Sequence, residues 1–232
     1  ARRDDCGRKT VQLEDCTPCV TTMLPDLIQR CRFLLVKLSP MLDIRVALKA
    51  LKYVCEVHVV SVDGECRELL LLLGGHCFGP VSFHCVNLGR RPVAFCVQEA
   101  ETVLPVVADV PLEYLYEPNA SVLKAGVQDA LCARFDVEKL HRNSNLFTAS
   151  RLVENFPGRA FRVQACHDFS KQSLKSLQAQ MTKANLTVRN FPSTVEQLRK
   201  RLKLKDGGDV YLFATTLSGD RHVLLQCEKI KE

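Results

Sequence analysis

Short apolar runs, each closed by a turn signal, constrain this chain more than any other feature. Residues 33–38 (FLLVKL) are broken only by Lys37 and end at Ser39-Pro40. Residues 56–62 (EVHVVSV) alternate, carry β-branched side chains and stop at Asp63-Gly64. The five leucines 69–73 stop at Gly74-Gly75. None of these runs approaches the ~20 residues a membrane helix needs, so no spanning segment is expected. No cationic start followed by an apolar stretch opens the chain, and no signal peptide is expected. With 47% apolar and 25% charged residues over 232 positions, the composition is that of a globular chain of one to two domains.

The order of these runs predicts an α/β fold. From Thr17 a helical pattern places Val20, Leu24, Leu27, Ile28 and Cys31 on one face, with Thr17 as cap, Pro18 at the first helical position and Pro25 as a kink. A strand at 33–38, a helix at 43–52 and a strand at 56–62 follow. The run CRELLLLL reads as a buried helix. Residues 81–88 and 92–98 read as a hairpin about Gly89-Arg90-Arg91-Pro92. Parallel strands with helical crossovers and a terminal hairpin predict the second half of an open α/β sheet, with the first half absent. Residues 101–117, with Pro105 and Pro111, read as a connector. A helix from Asn119 to Phe135 and irregular chain at 141–160 are expected next. From residue 161 the pattern is β-α-β-α-β-β, with Ser170 capping the first helix and Ser193…Glu196 forming a capping box for the second.

Charge is distributed unevenly. Residues 1–160 hold 19 basic and 19 acidic residues; residues 161–232 hold 13 basic and 7 acidic, which is 13 − 7 = +6, the whole net charge. A local basic excess fits an anionic partner, most often nucleic acid, and fits a solvated surface as well. In the helix over 194–203, Arg199, Lys200 and Lys203 form an outward stripe with Lys205 just beyond; the stripe suits phosphates or mere solubility. Phe191 and Phe213 fit the apolar pattern and are expected in the core. The twelve cysteines track apolar runs, which predicts that all are reduced and unmetallated in a cytoplasmic protein. Cys16-Thr-Pro-Cys19 lacks a second close pair, so no metal is expected, although Cys6, Cys31 and the neighbours His76/Cys77, His84/Cys85 or Cys166/His167 could be combined.

The eleven glycines contain no G-x-G, and there is no P-loop, no G-x-S-x-G and no H-E-x-x-H. The segments ARRDDCGRKT, LEDCTPC and LLVKLSPMLDI nevertheless resemble consecutive parts of one branch of the class I S-adenosylmethionine-dependent methyltransferases. EPNASVLKAG and LVENFPGRAF resemble that branch's small ferredoxin-like insert, and NLTVRNFPSTVEQLRKRLKLKDGGDVYLFATT its C-terminal THUMP-like domain.

The resemblance implies three parts: the C-terminal half of a Rossmann-like methyltransferase sheet over 1–112, the insert over 113–160, and the THUMP-like domain over 161–232. The chain then begins inside the family's Asp-Pro-Ala-Arg-Arg-Asp motif, upstream of which the cofactor's glycine loop and ribose acid would lie. Ala1, Arg2, Arg3 and Asp4 match the tail of that motif. Lys37, Ser39, Pro40 and Asp43 match the end of the fifth strand, bordering the same cleft. The resemblance implies Arg2, Arg3, Asp4, Lys37, Ser39 and Pro40 as catalytic residues. It also implies S-adenosylmethionine as cofactor of the full-length protein, with this stretch inactive and unable to bind it alone, and RNA as partner. A non-catalytic nucleic-acid-binding or scaffold protein is the alternative.

Overall fold

A computed structural model describes residues 13, 18–77, 79–89, 92–99 and 104–230 of the chain. The chain divides into two compact units, Ala1–Thr102 with Asn119–Val127, and Val103–Pro118 with Gln128–Glu232. No helix among the described residues is long and apolar enough to cross a membrane.

The first unit contains α1 (Val20–Arg30), β1 (Leu34–Leu38), α2 (Ile44–Ala50), β2 (Val54–Val62), β3 (Glu65–Leu73), β4 (Ser82–Leu88), β5 (Val93–Gln98) and α3 (Ala120–Ala125). Its sheet runs β1-β3-β2-β4-β5, with β2 and β4 parallel and the other pairs antiparallel. The run 65–73 is therefore a strand, which corrects the expected helix. Asp63 and Gly64 both take positive φ, 50° and 80°, as a two-residue hairpin turn demands. They fold β3 straight back along β2, from Val62 opposite Glu65 onward. Leu69, Leu71 and Leu73 are then fully buried, while Leu70 and Leu72 lie half-buried on the other face. A run apolar on both faces carries no period that separates strand from helix. The buried face also holds Val57, Val59, Phe83, Cys85, Phe95 and Val97, with α3 packed on β2, β3 and β4.

Asp43 caps α2 by accepting the Arg45 and Val46 N–H groups at 2.7 and 3.4 Å. The cap of α1 is Cys19 and not Thr17, which lies outside the described residues. Cys55 and Cys77 are joined by a disulfide, so the cysteines are not all reduced. Neither thiol is then available to ligate a metal, which removes the His76/Cys77 combination.

The second unit contains β6 (Tyr114–Pro118), α4 (Ala130–Phe135), β7 (Glu138–Lys139), β8 (Phe147–Ala149), β9 (Gly158–Asp168), α5 (Lys171–Gln180), β10 (Asn185–Arg189), α6 (Val195–Leu202), β11 (Val210–Leu217) and β12 (Arg221–Lys229). One seven-stranded sheet runs β10-β11-β12-β9-β6-β8-β7, with only β10 and β11 parallel. Three expectations change here. The end of the supposed connector is β6, every residue of which is buried. The helix expected from Asn119 is two short helices, parted at Gly126, whose φ of 71° favours glycine. The stretch expected to be irregular holds β8 and the start of β9.

Strands β11 and β12 are covered on both faces. Leu212, Ala214 and Leu224 join Leu174, Leu177, Leu198 and Leu202 of α5 and α6. Phe213, Val223 and Leu225 join Leu115, Leu140, Leu146 and Phe161. Ser170 caps α5 through the Ser173 N–H, as expected. The capping box of α6 lies one residue later than expected: Thr194 accepts from the Gln197 N–H at 3.3 Å, and the Gln197 side chain accepts from the Thr194 N–H at 2.9 Å.

Candidate functional site

A pocket of about 640 Å³ follows β1, the edge strand of the first sheet. Val20, Met23 and Leu27 of α1 form one wall and β1 the other, and Lys37, Ser39 and Pro40 all line it. Three of the six sequence candidates thus meet in one concavity at the carboxyl end of a strand, where open α/β sheets bind ligands. Arg2, Arg3 and Asp4 lie outside the described residues.

The polar members are already engaged. The Lys37 ammonium donates to Glu68 Oε1 at 2.9 Å. Ser39 Oγ accepts the Met41 N–H at 3.3 Å and shapes the turn before α2. Arg67 and Glu68 enter from β3 and escape a reading of that run as a helix. Alternation along β3 puts Glu68 on the face of Leu70, opposite Lys37 in the β1–β3 ladder, while Arg67 sits at the register shift between β2 and β3, which alternation does not reveal. The rest of the lining is apolar, and Leu35 and Met41 stand 60% and 73% exposed beside it.

The basic face lies in the second unit. α5 and α6 pack side by side over the sheet. Lys200, Lys203 and Lys205 are exposed and form no ion pair with any described residue. Arg199 does not join them freely: its guanidinium is held by Asp206 at 2.8 Å and its side chain is 30% exposed. Arg201 lies over the Phe169 ring, 4.8 Å from its centroid. Lys183 adjoins Lys205 through a parallel backbone bridge, which extends the lysines beyond α6. Phe191 is half-buried against Phe169 and His222, and Phe213 is fully buried, so both belong to the core as expected.

Comparison with known proteins places these parts. Residues 158–229 match the family model described as THUMP domain-like, and residues 114–157 match a ferredoxin-like domain. A crystal structure from Porphyromonas gingivalis W83, of a protein assigned as a methyltransferase, shares 34% identity and superposes with a TM-score of 0.88. The match covers 94% of this chain and 56% of that one. The chain is methyltransferase-related and carries a THUMP-like domain. It spans little more than half the length of that relative. No curated protein matches the sequence.

The THUMP-like domain begins at Gly158, where β9 pairs with β6 of the ferredoxin-like segment. Glu117 on β6 is buried, its side chain 5% exposed, and the guanidinium groups of Arg159 and Arg189 both close on it. Thiols behave according to burial. Burial pushes Cys85 up to about 12 and Cys132 up to about 11, and raises Cys227 further. Cys19 goes the other way, because the Thr21 hydroxyl 3.1 Å away stabilises its thiolate.

Proposed function

We propose that this chain belongs to an S-adenosylmethionine-dependent methyltransferase that modifies RNA, with its edge pocket on the acceptor side and its THUMP-like domain holding the RNA. The single observation that carries the reading is the 34% identity to a methyltransferase-assigned protein across 94% of the chain. The division into a catalytic part over 1–112, an insert over 113–160 and an RNA-binding part over 161–232 belongs to the same proposal.

The residues of the pocket do not by themselves suit the cofactor. Its carboxylate, Glu68, is tied to Lys37, Ser39 Oγ is used by a backbone N–H, and no glycine is among the described residues that line it. We therefore derive no step through S-adenosylmethionine from these residues. Lys37, Ser39 and Pro40 are assigned to the acceptor side, and the resemblance to the family assigns Arg2, Arg3 and Asp4 to it as well. Lys37 can exchange Glu68 for an acceptor phosphate at little cost, since an exposed ion pair contributes about 0–1 kcal/mol.

In the THUMP-like domain, Lys200, Lys203 and Lys205 are the phosphate-binding residues, with Arg199 setting their helix end through Asp206. Each phosphate contact on a single strand adds about 0.7 to the salt slope of binding. Replacing the three lysines by Glu should lower RNA affinity steeply and reduce that slope by roughly two. Arg199→Ala should leave the slope nearly unchanged. The full-length natural protein should transfer labelled methyl groups from S-adenosylmethionine to total RNA. RNA binding without transfer would favour the second reading, a non-catalytic RNA-binding protein, which the engaged state of Lys37 and Ser39 supports.

A further inference from the structure

We propose that Glu56, His58 and His84 form a divalent transition-metal site, suited above all to zinc, on the face of the first sheet opposite α3. The side-chain donors of these three residues all lie within 4.8 Å of one another. Glu56 Oε2 is 2.7 Å from His58 Nε2 and 3.8 Å from His84 Nε2. Zinc at 2.0–2.2 Å from each donor needs them about 3.3 Å apart in a tetrahedron, and the observed distances bracket that value.

Sheet geometry, not loop conformation, brings the donors together. Glu56 and His58 are two residues apart on β2 and so share a face. Parallel pairing sets His58 beside His84 on β4, their rings stacked at 4.5 Å, and antiparallel pairing sets His84 beside Cys96 on β5. The row crosses three hydrogen-bonded strands, and its positions are fixed before any ion arrives.

The contact on the other nitrogen of the His84 ring also suits a metal. Cys96 Sγ lies 3.2 Å from His84 Nδ1, on the far side of the ring from the cluster. With the Nδ1 proton directed at that sulfur, the Nε2 lone pair of His84 faces Glu56 and His58. A partner on the other ring nitrogen is the usual support of a metal-bound histidine. On binding, the proton shared by His58 Nε2 and Glu56 Oε2 moves to His58 Nδ1 or leaves to solvent, and their hydrogen bond gives way to two metal bonds. Two imidazoles and one carboxylate leave a fourth position for water, as in the open type of zinc site. The three side chains are 29–36% exposed, which leaves the ion a path from solvent.

The whole chain, stripped with a chelator and then titrated with zinc against a chromophoric competitor, should bind about one equivalent. His58→Ala and His84→Ala should each abolish that event. Cys96→Ala should weaken it about tenfold, the usual range for a residue that orients a ligand being 10–100-fold. His76→Ala, outside the cluster, should leave it intact. Imidazole nitrogen spectra of the unsubstituted chain should show His58 and His84 shifting on zinc addition while His141, His167 and His222 stay in place. No stoichiometric binding, binding that survives both histidine substitutions, or shifts confined to other histidines would each overturn the assignment.

Discussion

Gly158→Ala tests how tightly β9 is laid against β6. Gly158 has no positive φ, so no conformational demand calls for glycine here. Space does. A Cβ at this position would lie 2.2 Å from the Glu117 carbonyl oxygen and 2.8 Å from both its carbonyl carbon and a ring atom of Phe156. Ordinary carbon–oxygen contacts begin about 1 Å further out. The obstacle is backbone in the middle of a sheet, so the strands themselves must part. Overpacking of this kind costs about 3 kcal/mol, which corresponds to roughly 12 °C in Tm for a unit of this size. Gly219→Ala is the matched control in the same unit. Gly219 has φ of 72° and no heavy atom within 4 Å of an added Cβ, so its substitution costs only the left-handed conformation. That is about 1 kcal/mol, or roughly 4 °C. Thermal unfolding of both variants followed by circular dichroism decides the matter. Equal shifts, or a Gly158→Ala shift under 4 °C, would refute the packing argument.

Further expectations follow from local features. Lys203 ends α6 with φ of 54°, so Lys203→Gly should raise stability by about 0.5–1 kcal/mol in chemical denaturation while lowering RNA affinity. Cys85 and Cys132 hold their protons to about 12 and about 11, whereas in the unfolded chain thiols ionise near 8.5. Their contribution is complete below that lower value and falls as pH rises above it, so urea midpoints should drop between pH 8 and 10, and less so in a Cys85→Ala/Cys132→Ala variant. Iodoacetamide at neutral pH should modify Cys19 well before Cys66, which burial raises. Peptide mapping without reductant should recover one cross-linked species joining Cys55 to Cys77.

Much of the second unit was legible because its signals are local. Ser170 and the Ser193…Glu196 pattern announce helices, although the second cap falls one residue on, at Thr194, and Asp206-Gly-Gly-Asp209 announces the turn into β11. β6 was not legible. Its five residues follow two prolines, and the partners that let Glu117 be buried, Arg159 and Arg189, lie 42 and 72 positions away by residue number. The leucine run reads as a helix because leucine lacks the β-branching that marks a strand. That error also hid Arg67 and Glu68 from the pocket. The grouping of Lys37, Ser39 and Pro40 followed from their place at a strand end, but their hydrogen bonds did not. Arg199 looked free because Asp206 stands beyond the left-handed residue that turns the chain back. The pairing of His58 with His84 needs strand register, which spacing alone does not supply.

The ladder between β6 and β9 also bears on how such proteins can be taken apart or recombined. The two sequence families meet between Phe156 and Arg159, yet that border runs through a single hydrogen-bonded sheet with one shared interior. A cut at residue 158 would strip β9 of its neighbour, bare Phe161, and leave Arg159 and Arg189 facing no carboxylate. What is inherited as two modules must therefore travel as one piece. A chimera that swaps the THUMP-like domain alone would carry an open strand edge, and a joint ahead of β6 would take α3 away from the first sheet, on which it packs.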